Sequence, residues 1–150
     1  MIKIRNLKKD FPKYGFSLEC RHLSVETGEM AGIYGAAGSG KTLLTKTLAG
    51  LTGGYSGSVE IASTELRDTY KKKIGYLPFR NVLYGNLTLK EMSNYLLGQY
   101  KIKTEEFDLK LDWFSSLWDI KSYAGKRISS LTDGQLQSVK LFISLIHSPS

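Results

Sequence analysis

The chain has 150 residues, 41% hydrophobic, with a formal net charge of +7 and one cysteine. That length holds one domain or two small subdomains, and it suffices for a real core without disulfides or a structural metal. The composition excludes wholesale disorder, the lone Cys20 excludes an internal bridge and fits a reducing compartment, and no apolar run approaches the ~20 residues that cross a bilayer.

Met1 to Asp10 mixes charged and apolar residues, which is not the pattern of a signal peptide. Ile2 to Leu7 alternates and predicts a half-buried strand. Phe16, Leu18, Cys20 and His22 continue that period in a second strand, and Leu23 and Val25 shift the phase, as a bulge would. Thr27-Gly28-Glu29 reads as a turn, and the apolar run Met30 to Tyr34 predicts a fully buried strand. A glycine-rich stretch, Gly35 to Gly40, leads into helical spacing from Lys41 to Leu51, with Leu44, Leu48 and Leu51 on one side. Thr52-Gly53-Gly54 is the expected stop. Ser58 to Ile61 and Lys73 to Leu77 read as further strands.

The period then becomes helical. Thr88-Leu-Lys-Glu91 has the spacing of a capping box, opening a helix through Met92, Tyr95 and Leu96. Phe107, Leu111, Phe114 and Leu117 predict a second helix with one apolar face. A last helix is expected from about Gly134 to His147, carrying Leu136, Val139, Phe142, Ile143 and Ile146, with Ser148-Pro149 as its stop. No internal repeat or low-complexity tract is visible.

The strongest motif is Gly35-Ala36-Ala37-Gly38-Ser39-Gly40-Lys41-Thr42, which matches G-x-x-x-x-G-K-[ST] between an apolar run and a helix. Glycines let the backbone curl so that successive N–H groups converge on phosphate oxygens, and the helix N-terminus adds positive potential there. Lys41 has the reach for β- and γ-phosphates, and the Thr42 hydroxyl is a hard oxygen ligand suited to Mg²⁺. By itself this segment predicts a nucleoside triphosphate site and leaves the family open. The turn Leu131-Thr132-Asp133-Gly134-Gln135, at the head of the last helix, reads in isolation as a cap.

Taken in order, these segments resemble the nucleotide-binding domain of ATP-binding cassette (ABC) transporters. Leu131 to Gln135 is similar to that family's signature L-S-G-G-Q. Ile4-Arg-Asn-Leu-Lys-Lys, Gly28-Glu29, Leu48-Ala-Gly-Leu51, Ser56-Gly-Ser-Val59, Ile74-Gly-Tyr-Leu-Pro78 and Asn86-Leu-Thr-Leu-Lys-Glu91 follow the family pattern in sequence. The resemblance covers nearly the whole chain. It implies an α/β fold: a P-loop NTPase core, an N-terminal antiparallel β subdomain and a helical insert, incomplete at the C-terminus. The expected division is residues 1–80 for the β subdomain and P-loop core, 81–135 for the helical subdomain, and 136–150 for a helix returning to the core.

The family also implies roles. Phe11 falls where an aromatic stacks on adenine, with Tyr14 the alternative. Leu131, Thr132, Asp133, Gly134 and Gln135 would act in trans, with Thr132 and the Gly134 N–H meeting a γ-phosphate held by a second cassette in a head-to-tail dimer. ATP and Mg²⁺ are the implied cofactors. A membrane permease is the implied partner, and the inner face of the membrane, on the cytoplasmic side, the implied location.

Three departures from the pattern stand out. Phe79 occupies the Q-loop position, where the family has a Mg²⁺-ligating Gln, and a phenyl ring offers no acceptor. Asp133 replaces a signature glycine, and capping the last helix is its expected role. The family's Walker B Asp, catalytic Glu, D-loop and switch His would follow Pro149, and Asp119 and Asp133 lie in the wrong context to replace them. No catalytic residue is therefore assigned, and hydrolysis without a general base is expected to fall by roughly 10²–10⁴-fold. The expected missing strand, central beside the phosphate-loop strand, would leave an open edge through which the chain self-associates.

The leading reading is the ATP-binding subunit of an ABC transporter. An ABC-type ATPase acting on nucleic acid or ribosomes is the second, supported by the +7 charge, Lys71-Lys72-Lys73 included, with a solvated face the simpler account of those lysines. A non-hydrolytic ATP-binding module is the third. A small P-loop kinase would leave Leu131 to Gln135 unexplained.

Overall fold

Alternating side chains at the N-terminus build two ten-residue strands, β1 (Ile2–Phe11) and β2 (Phe16–Val25). In this computed structural model the described residues are 1–62, 64, 65, 73–80 and 82–149, the side chains of Tyr14, Thr64 and Glu65 excepted. Pro12–Tyr14 forms a short 3₁₀ turn, and Gly15 then takes φ 56° to reverse the chain. The strands pair antiparallel from Ile2 opposite Val25 to Phe11 opposite Phe16. β3 (Ser56–Ile61) joins the other side of β1, and the short β4 (Thr64–Glu65) extends it, giving the order β2-β1-β3-β4.

The expected phase shift is present and has a local cause. Asn6 has φ 50°, and the β1–β3 register slips between Arg5 and Lys8. Ile4 and Leu7, three residues apart, are therefore both buried. Gly57 makes this possible: a Cβ there would sit 2.3 Å from the Asn6 carbonyl oxygen. Across the pair, Cys20 and Leu23 both pack on the inner face, so His22 turns outward and is exposed rather than continuing the apolar period.

That inner face is covered by α1 (Lys41–Leu48), whose Leu44 and Leu48 pack against Ile4, Leu7 and Val59. The helix stops three residues short of the expected Leu51. Gly50, at φ 67°, donates to Thr47 O at 3.0 Å while Leu51 N–H reaches Lys46 O at 2.9 Å, closing the last turn before Gly53.

Residues 30–34 and 73–77 are not strands, contrary to their apolar patterns. Among the described residues nothing pairs with residues 30–34, and the described sheet is antiparallel throughout. A parallel strand is stable only with ladder partners and cover on both faces. Met30 and Tyr34 have neither and are almost fully exposed.

The chain divides into two compact units, Met1–Ile74 and Gly75–Pro149. The second contains α2 (Leu89–Tyr100), α3 (Thr104–Trp118) and α4 (Asp133–Leu145), with 3₁₀ turns at Ile120–Tyr123 and Ile128–Ser130. Its core contains Leu89, Phe107, Phe114, Ile120, Tyr123, Val139, Phe142 and Ile146. Phe142 is its centre, with the rings of Phe107 at 5.6 Å and Phe114 at 5.2 Å meeting it edge to face. Leu117, expected on the same face, is 54% exposed. At 3.6 residues per turn it lies about 80° around α3 from Phe107. Ser148, with φ 51°, leads the chain out of α4 ahead of Pro149.

Candidate phosphate-binding site

The loop before α1 is shaped by two left-handed glycines, Gly38 at φ 81° and Gly40 at φ 91°. Ser39 N–H closes a turn onto Ala36 O at 3.2 Å, and Gly40 O accepts the first helical bond, from Leu44 N–H at 2.8 Å. The loop ends against β2: a Cβ on Gly40 would come within 2.9 Å of Phe16 Cζ and 3.2 Å of Leu18 Cδ1. Strand packing and left-handed φ thus demand glycine at the same residue.

Lys41 folds back over the loop, its Nζ donating to Gly35 O and Ala36 O, each at 2.7 Å. Thr42 is exposed beside it, and Gly38, Ser39, Gly40, Lys41, Thr42 and Leu43 line an open cavity of about 190 Å³. No side chain caps α1, and its first turn holds no acidic residue. The first N–H groups of a helix need partners outside the helix, and at α1 no side chain serves as the cap. The other helices behave differently. α2 and α4 carry complete capping boxes, and α3 has Glu105 and Glu106 in its first turn. α3 is also uncapped and has Lys103 at its N-cap, but its two glutamates offset that charge, so among the described helices α1 alone joins an uncapped N-terminus to a lysine with no acid in its first turn, the arrangement that most favours an anion.

Phe11 is half-buried, 6.1 Å from the Phe16 ring at a 40° tilt. Phe16 is the residue pressed on Gly40, so Phe11 belongs to the same corner of the first unit as the loop. The Tyr14 side chain lies outside the described residues, as do Lys71 and Lys72.

The second motif opens α4. Thr132 is its N-cap: Thr132 Oγ1 accepts from Gln135 N–H at 3.4 Å, and Thr132 N–H donates to Gln135 Oε1 at 3.1 Å. The cap is therefore Thr132, not Asp133. The reason is backbone conformation: Thr132 is extended (φ −66°, ψ 160°), as a cap must be, and Asp133 is already the first helical residue. Thr132, Asp133 and Gly134 are exposed, and Leu131 and Gln135 are half-buried.

The Phe79 side chain is 95% exposed. Its carbonyl is held by Lys140, whose Nζ donates to it at 3.0 Å from a residue only 3% exposed. Asp119 ends α3 in a left-handed conformation, away from any cluster of potential ligands. Among the described residues no three His, Cys, Asp or Glu side chains gather as a metal site. Sequence reasoning passes over two lysines. Lys140 sits between the buried Val139 and Phe142, and Lys9 stands opposite the buried Leu18, in the inward phase of β1. A lysine at an inward position was the available signal in both cases.

Comparisons with known proteins agree with this geometry. Residues 18–150 match the ABC transporter family. An uncharacterized ABC transporter ATP-binding protein of Methanocaldococcus jannaschii is 31% identical over 150 residues, a match that covers 99% of this chain and 53% of the relative. The chain thus spans about half the length of that relative. Among solved structures, an ATP-binding subunit of an ABC transporter superposes with a TM-score of 0.85 at 24% identity, covering 99% of this chain and 63% of that one. The dimeric structure of a bacterial ABC transporter cassette gives 0.82 at 24% identity, covering 99% and 71%. With the phosphate loop, the capped signature turn and these matches together, the chain belongs to the ABC transporter family and has the fold of its ATP-binding subunits.

Proposed function

We propose that the chain is the nucleotide-gripping part of an ATP-binding subunit that drives a membrane permease. The observation that carries this reading is the uncapped N-terminus of α1 with Lys41 folded over it. In this reading phosphate oxygens replace the Gly35 and Ala36 carbonyls as partners of Lys41, and the amides of residues 38–42 converge on the same anion. Phe11 carries the nucleobase. The exposed Thr42 hydroxyl is the group suited to hold Mg²⁺, which neutralises phosphate charge when bound. The cavity lining holds no Asp, Glu or His, so hydrolysis draws its general base from elsewhere, and this chain alone turns over slowly.

In this reading Thr132 and Gly134, both exposed, meet the γ-phosphate of a second cassette, head to tail. The dimeric cassette among the structural relatives supports that arrangement. In this reading the chain sits peripherally on the permease's cytoplasmic face, a placement that rests on its likeness to ABC transporter ATP-binding proteins.

The test is Lys41→Ala with ATP titrated calorimetrically. Loss of a charge-assisted phosphate contact lowers affinity by roughly 10- to 100-fold. Unchanged affinity would overturn the assignment.

A further inference from the structure

Lys9 is the polar residue that the nucleotide reading leaves without a task. It occupies the inward phase of β1, where its neighbours Leu7 and Leu18 are buried. Its ammonium donates to the Gly53 carbonyl and lies 3.4 Å from the Gly54 carbonyl, in the segment that follows α1. It also sits 5.3 Å from the centroid of the Phe11 ring, within the range of a cation–π contact.

We propose that Lys9 is a positioning residue of the nucleotide site, one that fixes Phe11 as the platform for the base. This rests on the reading of Phe11 given above. The tether has two ends. One end is the backbone of residues 53 and 54, which continues from the helix that begins at the phosphate loop. The other end is the aromatic ring two residues along β1 from Lys9 itself. Phe16, cross-strand partner of Phe11, touches the loop at Gly40 and closes the frame from the opposite side. The phosphate grip and the base platform are thereby held at a set separation before any ligand arrives, which lowers the ordering cost of binding.

The ammonium also acts on the ring electronically. A cation on one face draws π density toward itself, and an electron-rich purine then stacks better on the face that Lys9 does not cover. Phosphates gain nothing from either effect. The contribution of Lys9 therefore appears only for ligands that carry a base, and this separates it from a lysine that contacts phosphate directly.

The experiment titrates the chain and its Lys9→Met, Lys9→Arg and Phe11→Ala variants with ATP and with inorganic tripolyphosphate, by calorimetry. Lys9→Met is expected to weaken ATP by about fivefold, the loss of a cation–π contact and its tether. Lys9→Arg restores most of that affinity, because a guanidinium also stacks and also donates to carbonyls. Tripolyphosphate binds all four proteins alike. Wild-type ATP affinity in Lys9→Met overturns the proposal, as does an equal loss for tripolyphosphate, which would place Lys9 on the phosphates or in the fold at large. Phe11→Ala separates the two claims. If it leaves ATP binding unchanged, the base platform itself is wrong; if it weakens ATP while Lys9→Met does not, only the role of Lys9 falls.

Discussion

Two helices of this chain open in opposite ways, and the contrast separates an N-terminus without a cap from one that caps itself. α1 starts at Gly40 with no cap, no acid in its first turn and a lysine at its first position. α4 starts at Thr132 with a closed capping box and Asp133 at its first position. The first end has unmet hydrogen-bonding demand and positive charge, so it gains by taking an anion. The second meets part of its own demand through Thr132 and Gln135 and sets a carboxylate in its first turn, so it offers an anion fewer donors and an opposing charge. On the proposed reading, a grip that holds alone and a contact that forms when a ligand is presented would follow from the first turn of each helix.

The comparison can be broken from the core outward. Phe142→Ala removes the ring that anchors α4 between Phe107 and Phe114, and should cost about 3–5 kcal/mol in thermal or denaturant unfolding. A cost under 1 kcal/mol would mean that α4 is not held by this cluster. Gly40→Ala attacks the other helix. It forces a Cβ against Phe16 and a side chain into φ 91°, and should destabilise the loop by about 1–2 kcal/mol from backbone conformation alone, with weaker ATP binding read by the same titration.

Thr132→Ala opens half of the capping box at α4 and should cost about 1 kcal/mol, with faster amide exchange at Gln135. Equal exchange rates would mean that the α4 end is no better satisfied than α1. The smallest effect is a pH dependence at α2. Glu91 accepts from the Thr88 N–H at 2.8 Å and the Thr88 hydroxyl at 3.0 Å, and these bonds hold its carboxyl below the ordinary 4.5. A lowered carboxyl pKa contributes stability that is complete above the ordinary value and is lost as pH falls through the lowered one. Amide protection in the first turn of α2 should therefore weaken below pH 4.5, and Glu91→Gln should flatten that dependence. A profile unchanged by Glu91→Gln would place the titrating group elsewhere.

Local signals made much of this legible in advance. The Thr88–Glu91 box, the glycine-rich loop before α1 and the apolar faces of α3 and α4 all depend on residues close in sequence. Failures came where stability is decided at a distance. Met30 to Tyr34 has the composition of a buried strand, but strand formation needs a neighbour, and none pairs with it among the described residues. Asp133 has a good capping side chain but the wrong backbone conformation, which one residue's identity does not reveal. Lys9 was hidden because its partners, Gly53 and Gly54, lie 44 and 45 residues along the chain.

One consequence concerns mutational tolerance. Lys140 holds position 79 by its main-chain carbonyl, an atom that every amino acid supplies. The link between α4 and that position is therefore indifferent to which side chain stands there. Residue 79 is free to change its chemistry, from amide to ring, while its attachment persists, so a single substitution there alters what the surface presents without loosening the helix behind it.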